Sequence, residues 1–366
     1  MTILFTVTND LTYDQRMHRI CGTLAANGHV VTLVGRNRPD SVPLEETSFA
    51  QKRLNCHFQQ GFLFYAEFNL RLFFHLLVAR YDAVCSIDLD TLAAGCFASM
   101  LRRKKRVFDA HEYFTEVPEV VHRPFVRFFW GRVARICLPF YRHAYTVGPA
   151  LAQIFERIYG LKFGVVRNVP LQTDPPVLPR SNQQTKTLLY QGALNEGRGI
   201  ETILEALQQV ENVHLVLAGE GDLSASLRQK VDALKLSERV TFLGYVKPRE
   251  LKKLTAEAWL GLNLLENRGL SYYYSLANKF FDCVMAGIPV LTMDFPEYQA
   301  LNKKHEVAIL LHELSPDQVA IALNRLLIDK DLYDQLRQNC LLARQDWNWE
   351  REQQTLLDIW QAVQAN

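Results

Sequence analysis

Residues 3–7, ILFTV, form a nearly unbroken apolar run; Met17, Ile20, Cys21 and Leu24 then recur at helical spacing up to Gly28, and VVTLVG follows. That pattern predicts a strand, a helix and a second strand. The alternation continues with a helix over about Leu70–Arg80, a strand at Ala83–Ile87 and a helix over Leu92–Lys104. A strand at Arg106–Phe108 and a short one, AYTVG, near Ala144 complete it. Residues 168–186, NVPLQTDPPVLPRSNQQTK, carry four prolines up to Pro179 and no apolar period, the composition of a linker. Beyond it the rhythm restarts with LLYQG, a helix from Ile200 to Val210, then the strands VHLVLAG, VTFLGYV, LGLNLLE and IPVLTM with helices between them. From Ser315 onward the pattern is helical. Two α/β parallel sheets in tandem are predicted.

The length of 366 residues suits two domains. The composition, 48% hydrophobic and 22% charged, excludes a disordered, collagenous or coiled-coil chain. A net charge of +2 gives no reason to expect nucleic acid as a partner. The sum conceals a division, however: residues 1–170 hold 21 basic and 14 acidic side chains, net +7, and residues 171–366 hold 20 and 25, net −5. Seven widely spaced cysteines without a CxxC pair fit a reducing compartment. The first residues lack the basic segment of a signal peptide, and the apolar stretch Phe58–Val84 is broken by Glu67, Arg71, Arg80 and Asp82. These features predict a cytoplasmic protein.

The sharpest local feature is YQGALNEGRGIETILEAL, Tyr190–Leu207, where a strand runs through a turn holding Gly192, Gly197 and Gly199 into a helix. Glycines let the backbone approach a ligand, the helix start favours an anion, and Arg198 can fork onto phosphate oxygens. A plain turn with a solvated arginine reads equally well. In ANKFFDCVMAGIPVL, Ala277–Leu291, Lys279 and Asp282 lie three residues apart at the start of a helix. They suit a phosphate and a pair of sugar hydroxyls, or else a surface ion pair. Both features sit at the carboxyl ends of strands in one half, where open α/β sheets bind ligands.

At these residues the chain resembles the retaining nucleotide-sugar glycosyltransferases of the two-Rossmann GT-B type, the family-four-like and group-one transferases. QGALNEGRG, AGEGDL (Ala218–Leu223), FLGYV (Phe242–Val246), DCVMAGIPV and the terminal DWNWE carry the resemblance, which covers nearly the whole chain. It implies an α/β GT-B fold: a Rossmann-like acceptor domain over 1–168, a nucleotide-sugar donor domain over 169–345, a cleft between them, and a C-terminal helix over 346–366 crossing back to the first domain. It also implies donor contacts at Gly197, Gly199, Glu220, Gly221, Val246, Tyr274, Ser275, Leu276 and Asn278, with Asp282 in the place of the usual ribose-binding glutamate. Arg198 and Lys279 would carry the diphosphate. The chain departs from the family at Tyr274, where a second glutamate is common, and at Ala193, where a phosphate-binding arginine is expected.

In the first half NDLTYDQR, Asn9–Arg16, replaces the glycine-rich loop after the first strand and is similar to a branch of the same family. Asp14 and Arg16 are candidates for sugar contacts, or an N-cap and an exposed arginine. His111, in FDAHEYFTE, resembles the family's active-site histidine. No second histidine lies at HxxxH or HxH spacing from it, so no metal is expected there. Residues 120–142 hold Arg123, Arg127, Arg132, Arg135 and Arg142 and no acid after Val120. On a helical wheel Phe125, Val126, Phe129, Trp130, Val133, Ile136 and Cys137 share an arc that can lie at an anionic membrane surface, or pack under the sheet.

The resemblance implies transfer of a sugar from a UDP- or GDP-sugar to a saccharide or lipid-linked acceptor, with retention, without a metal or other cofactor, in polysaccharide or glycolipid assembly. Asp14 and His111 would border the sugar. The alternatives are a nucleotide-sugar epimerase of similar fold and a non-catalytic nucleotide-binding subunit.

Overall fold

The strand and helix alternation of the first 170 residues folds into a seven-stranded sheet. The protein is described as a computed structural model that covers residues 1–39, 41–173 and 185–365. It divides into two units, Met1–Arg167 with the segment from Glu352 onward, and Asn168–Arg351. Most of the linker predicted at 168–186 lies outside the described residues.

In the first unit β1 (Thr2–Thr6), β2 (Val30–Arg36), β3 (Ala50–Leu54), β4 (Ala83–Ile87), β5 (Lys105–Ala110), β6 (His143–Thr146) and β7 (Phe163–Val165) are ordered β3-β2-β1-β4-β5-β6-β7. Every neighbouring pair is parallel. Parallel strands are covered on both faces, which is why β1 and β4 read as continuous apolar runs and are buried almost throughout. The connections are α1 (Gln15–Ala26), α2 (Gly61–Val78), α3 (Asp88–Leu101), α4 (Pro118–Val121), α5 (Pro124–Cys137) and α6 (Pro149–Tyr159). The buried face of α1 is Met17, Ile20, Cys21 and Leu24, as its spacing predicts, with Arg16 beside them. α2 starts at Gly61 rather than near Leu70, and Phe64, Phe68, Leu72 and Leu76, one per turn, anchor it to Leu4, Val34, Val84 and Ala94.

The second unit repeats the arrangement. β8 (Lys186–Gln191), β9 (Val213–Ala218), β10 (Val240–Gly244), β11 (Leu260–Asn263), β12 (Val290–Met293) and β13 (Ala308–Leu311) form a parallel sheet in the order β10-β9-β8-β11-β12-β13. Its helices are α7 (Ile200–Ala206), α8 (Ser224–Ala233), α9 (Pro248–Glu257), α10 (Leu270–Tyr273), α11 (Asn278–Met285), α12 (Pro296–Lys304), α13 (Pro316–Ile328) and α14 (Lys330–Ala343). In both sheets the order reverses beside the first strand, and that reversal opens a crevice at the carboxyl edge.

The last helix, α15 (Trp349–Ala365), belongs to the first unit from Glu352 on. Trp360 is fully buried with its ring 5.4 Å from that of Phe5, and Lys105 donates from Nζ to the carbonyls of Val363 (2.9 Å) and Gln364 (2.7 Å). Glu352, almost wholly buried, accepts from Arg167 at both its main-chain N (2.7 Å) and its guanidinium (2.8 Å).

Candidate active site

The turn leaving β8 is shaped by glycine. Gly199 has φ +69°, and a Cβ there would lie 2.7 Å from the carbonyl oxygen of Leu264, so no other residue fits without displacing backbone. Gly197 is also left-handed, at φ +80°. Between them Arg198 reaches over the ring of Tyr272, its guanidinium carbon 4.8 Å from the centroid, and its Nε is buried without a hydrogen-bond partner.

Lys279 projects from the first turn of α11 onto the face of Tyr190, with Nζ 3.8 Å from the ring centroid. Burial, reinforced by the like charge of Arg198, lowers its pKa from the ordinary 10.5 to about 7. Among the described residues neither cation has a carboxylate at ion-pair distance. Two partly buried cations that repel each other thus rest side by side on aromatic faces, an arrangement that favours an anion. Asp282, one turn on, instead accepts from Gln191 (2.9 Å), and Gln191 accepts from Thr255 (2.9 Å). A carboxylate so oriented keeps acceptor capacity for ligand hydroxyls.

The remaining donor-side candidates gather around this turn. The main-chain N of Leu194 donates to the carbonyl of Glu220 (3.2 Å), Asp222 N donates to Asn195 Oδ1 (3.1 Å), and Gly221 N donates to Ser224 Oγ (2.9 Å). Glu220 pairs at its exposed end with Arg228. Val246 follows the end of β10, where Gly244 bridges back to Gly219. Tyr274, Ser275 and Leu276 join α10 to α11, and Leu276 and the Oγ of Ser275 are buried. Asn278 is exposed, and its Oδ1 accepts from Asn168 (2.6 Å).

In the first unit one of the two polar-turn residues takes the alternative that the sequence offers and the other does not. Asp14 caps α1, accepting from Met17 N (3.1 Å) and from Asn9 Nδ2 (3.2 Å). Arg16 is not an exposed arginine: it is buried, donating to the carbonyl of Val166 (2.8 Å) and to Asp109 (3.0 Å). Asp109, wholly buried, also accepts from His111 Nε2 (3.0 Å), and His111 N donates to Asp88 (2.8 Å). Burial disfavours the imidazolium, yet the carboxylates of Asp109 and Asp88 outweigh it and raise the His111 pKa to about 9. His111 is therefore a cation at neutral pH. Asp109 and His111 are two apart on an extended segment and share a face, a D-x-H signal that the sequence carries. Tyr190 and Tyr272 leave no such local signal.

Known proteins match both halves of the chain. The model for glycosyltransferase family 4 matches residues 15–173, and that for glycosyl transferases group 1 matches residues 178–341. An uncharacterised glycosyltransferase of Methanocaldococcus jannaschii is 28% identical over 147 residues, which span 39% of this chain and only 36% of that relative. Sucrose-phosphate synthase from Thermosynechococcus elongatus superposes with a TM-score of 0.81 at 18% identity, over 100% of this chain and 99% of the other. Anabaena HepE in complex with UDP-glucose superposes with a TM-score of 0.73 at 16% identity over 100% of both chains. The chain thus pairs a family 4 glycosyltransferase domain with a group 1 glycosyltransferase domain and has the GT-B fold.

Proposed function

We propose that this protein transfers a sugar from a UDP- or GDP-sugar to a hydroxyl of a saccharide or lipid-linked acceptor, with retention at the anomeric carbon and without a catalytic metal, in polysaccharide or glycolipid assembly. The observation that carries the proposal is the pair of cations, Arg198 and Lys279, that have no counter-ion among the described residues and lie beside a glycine turn at the carboxyl edge of the second sheet. In the reaction the bond from the anomeric carbon to the diphosphate oxygen breaks, and the acceptor oxygen forms a bond on the same face. The acceptor's proton passes to the departing phosphate, so no separate general base is needed.

The barrier is the separation of the anionic leaving group. Fixed cations aimed at the diphosphate lower it and supply the positive charge that a divalent ion would otherwise bring. Asp282 holds the ribose, Glu220, Gly221 and Val246 flank the base, and Tyr274–Leu276 adjoin the donor sugar. In the first unit His111, as an imidazolium hydrogen-bond donor, and Asp14 are the residues proposed for sugar contact.

Arg198→Ala is expected to lower turnover by about 10²-fold or more while leaving the melting temperature of the free protein nearly unchanged. Activity should survive a chelator, and NMR of the product should show the donor's anomeric configuration. Full activity in Arg198→Ala, chelator sensitivity or an inverted product would each remove the corresponding part of the proposal. Incubating donor alone separates transfer from epimerisation, which would yield a new sugar without any acceptor.

A further inference from the structure

Two helices of the first unit carry apolar side chains on their outer faces as well as their inner ones. α2 buries only Phe64, Phe68, Leu72 and Leu76 and leaves Phe62 (69% exposed), Leu63, Leu70, Phe74 and Val78 in contact with solvent. On α5 the arc read from the sequence divides. Trp130 and Cys137 are buried with Ala134, whereas Phe125 (88% exposed), Phe129 and Ile136 stand outside, joined by Phe128. The two exposed sets meet, because the rings of Phe62 and Phe129 lie 6.0 Å apart edge to face. α3 packs against both helices and adds exposed Phe97 and Leu101. Exposed apolar side chains that meet across two helices in this way mark a docking site.

Its charge identifies the partner. Among the arginines of α5 and its flanks Arg127 pairs with Glu116, while Arg123, Arg132, Arg135 and Arg142 form no ion pair among the described residues. At 3.6 residues per turn Arg132 falls inside the arc of Phe125, Phe128, Phe129 and Ile136. A second copy of the chain would set these cations against themselves. A bilayer containing anionic phospholipid complements them, taking aromatic rings at headgroup depth and guanidinium groups on phosphates. α2 is long and apolar enough to cross a membrane. Its four core residues nevertheless hold it on the sheet, and Glu67 and Arg71 pair on its surface (2.8 Å), so it lies along an interface.

We infer that the α2/α5 face seats the first unit on an anionic phospholipid bilayer, Phe62, Phe74, Phe125 and Phe128 entering the headgroup layer and Arg123, Arg132 and Arg135 binding lipid phosphates. The inference stands apart from the nucleotide site. It is tested by co-sedimenting the full chain with vesicles of phosphatidylcholine alone or mixed with phosphatidylglycerol. Binding to the mixed vesicles should be at least about tenfold tighter. Arg132→Glu with Arg135→Glu should abolish it, and Phe125→Ser with Phe128→Ser should weaken it about tenfold. All four side chains are exposed, so both variants should keep the parent's melting temperature and its stabilisation by UDP or GDP. Absence of binding, equal binding to both vesicles, or binding indifferent to both variants would overturn the inference. So would a dimer in sedimentation equilibrium that Phe125→Ser with Phe128→Ser dissociates without any vesicle binding, which would give the face to a second copy.

Discussion

Lys279 keeps its place against burial and against Arg198, and both effects favour its neutral form. A bound diphosphate reverses that balance, so binding takes up a proton. Below about pH 7 the ammonium is already present; above it, the ligand must recruit the proton at a cost that grows with pH. Affinity for a nucleotide sugar, whose phosphodiester groups do not titrate in this range, should therefore fall about tenfold between roughly pH 6 and pH 8. Calorimetric titration at the two values checks this, and Lys279→Met should abolish the dependence while raising the melting temperature by on the order of a few degrees. His111 has the opposite sign. Its folded pKa of about 9 exceeds the ordinary 6.5, so its contribution to stability is fully present below about 6.5 and is lost as pH rises through about 9. Denaturation curves of the parent and His111→Gln should converge over that window; a constant difference would mean that His111 does not carry the charge.

At the scale of elements, legibility followed contrast. β4 is foreseen at its observed bounds because AVCSI, apolar but for Ser86, stands between Asp82 and Asp88. The start of α2 is not, because GFLFYAEF is apolar on both faces and shows no 3.6-residue contrast; the outer face that blurs the period is the one now exposed. β3 (AQKRL) is a polar edge strand, while β7 and β13 are edge strands of three and four residues, too short to register. In the site, the glycine turn and the α11 start are legible because each is a local motif. The aromatic platforms under the cations are not, since Tyr272 meets Arg198 and Tyr190 meets Lys279 only through the fold. The turn also sets a demand on its element: Gly199→Ala should cost about 1–3 kcal/mol through its left-handed φ and the Leu264 carbonyl. Thermal melts check the cost, and nucleotide-induced stabilisation should vanish with it.

On the scale of the whole molecule, the same strand order occurs twice, and the half whose composition is acidic is the one proposed to bind an anion. Net charge therefore says little about the proposed ligand, whose recognition would rest on two side chains and a turn. The fully buried Trp360 makes α15 part of the first unit's core. Trp360→Ala should cost about 3–5 kcal/mol, read as an earlier unfolding step in a thermal or urea melt. The helix also fixes an order of events during synthesis. Residues from Glu352 on emerge about 185 residues after Arg167, which at cellular elongation rates is roughly ten to forty seconds. For that interval Phe5 and its neighbours on the first strand lack their cover, while the second unit, contiguous in the chain, can finish folding ahead of the first. Early in its life this chain thus matures from the middle outward, and chaperones that guard exposed aromatic surface should engage its beginning until its end arrives.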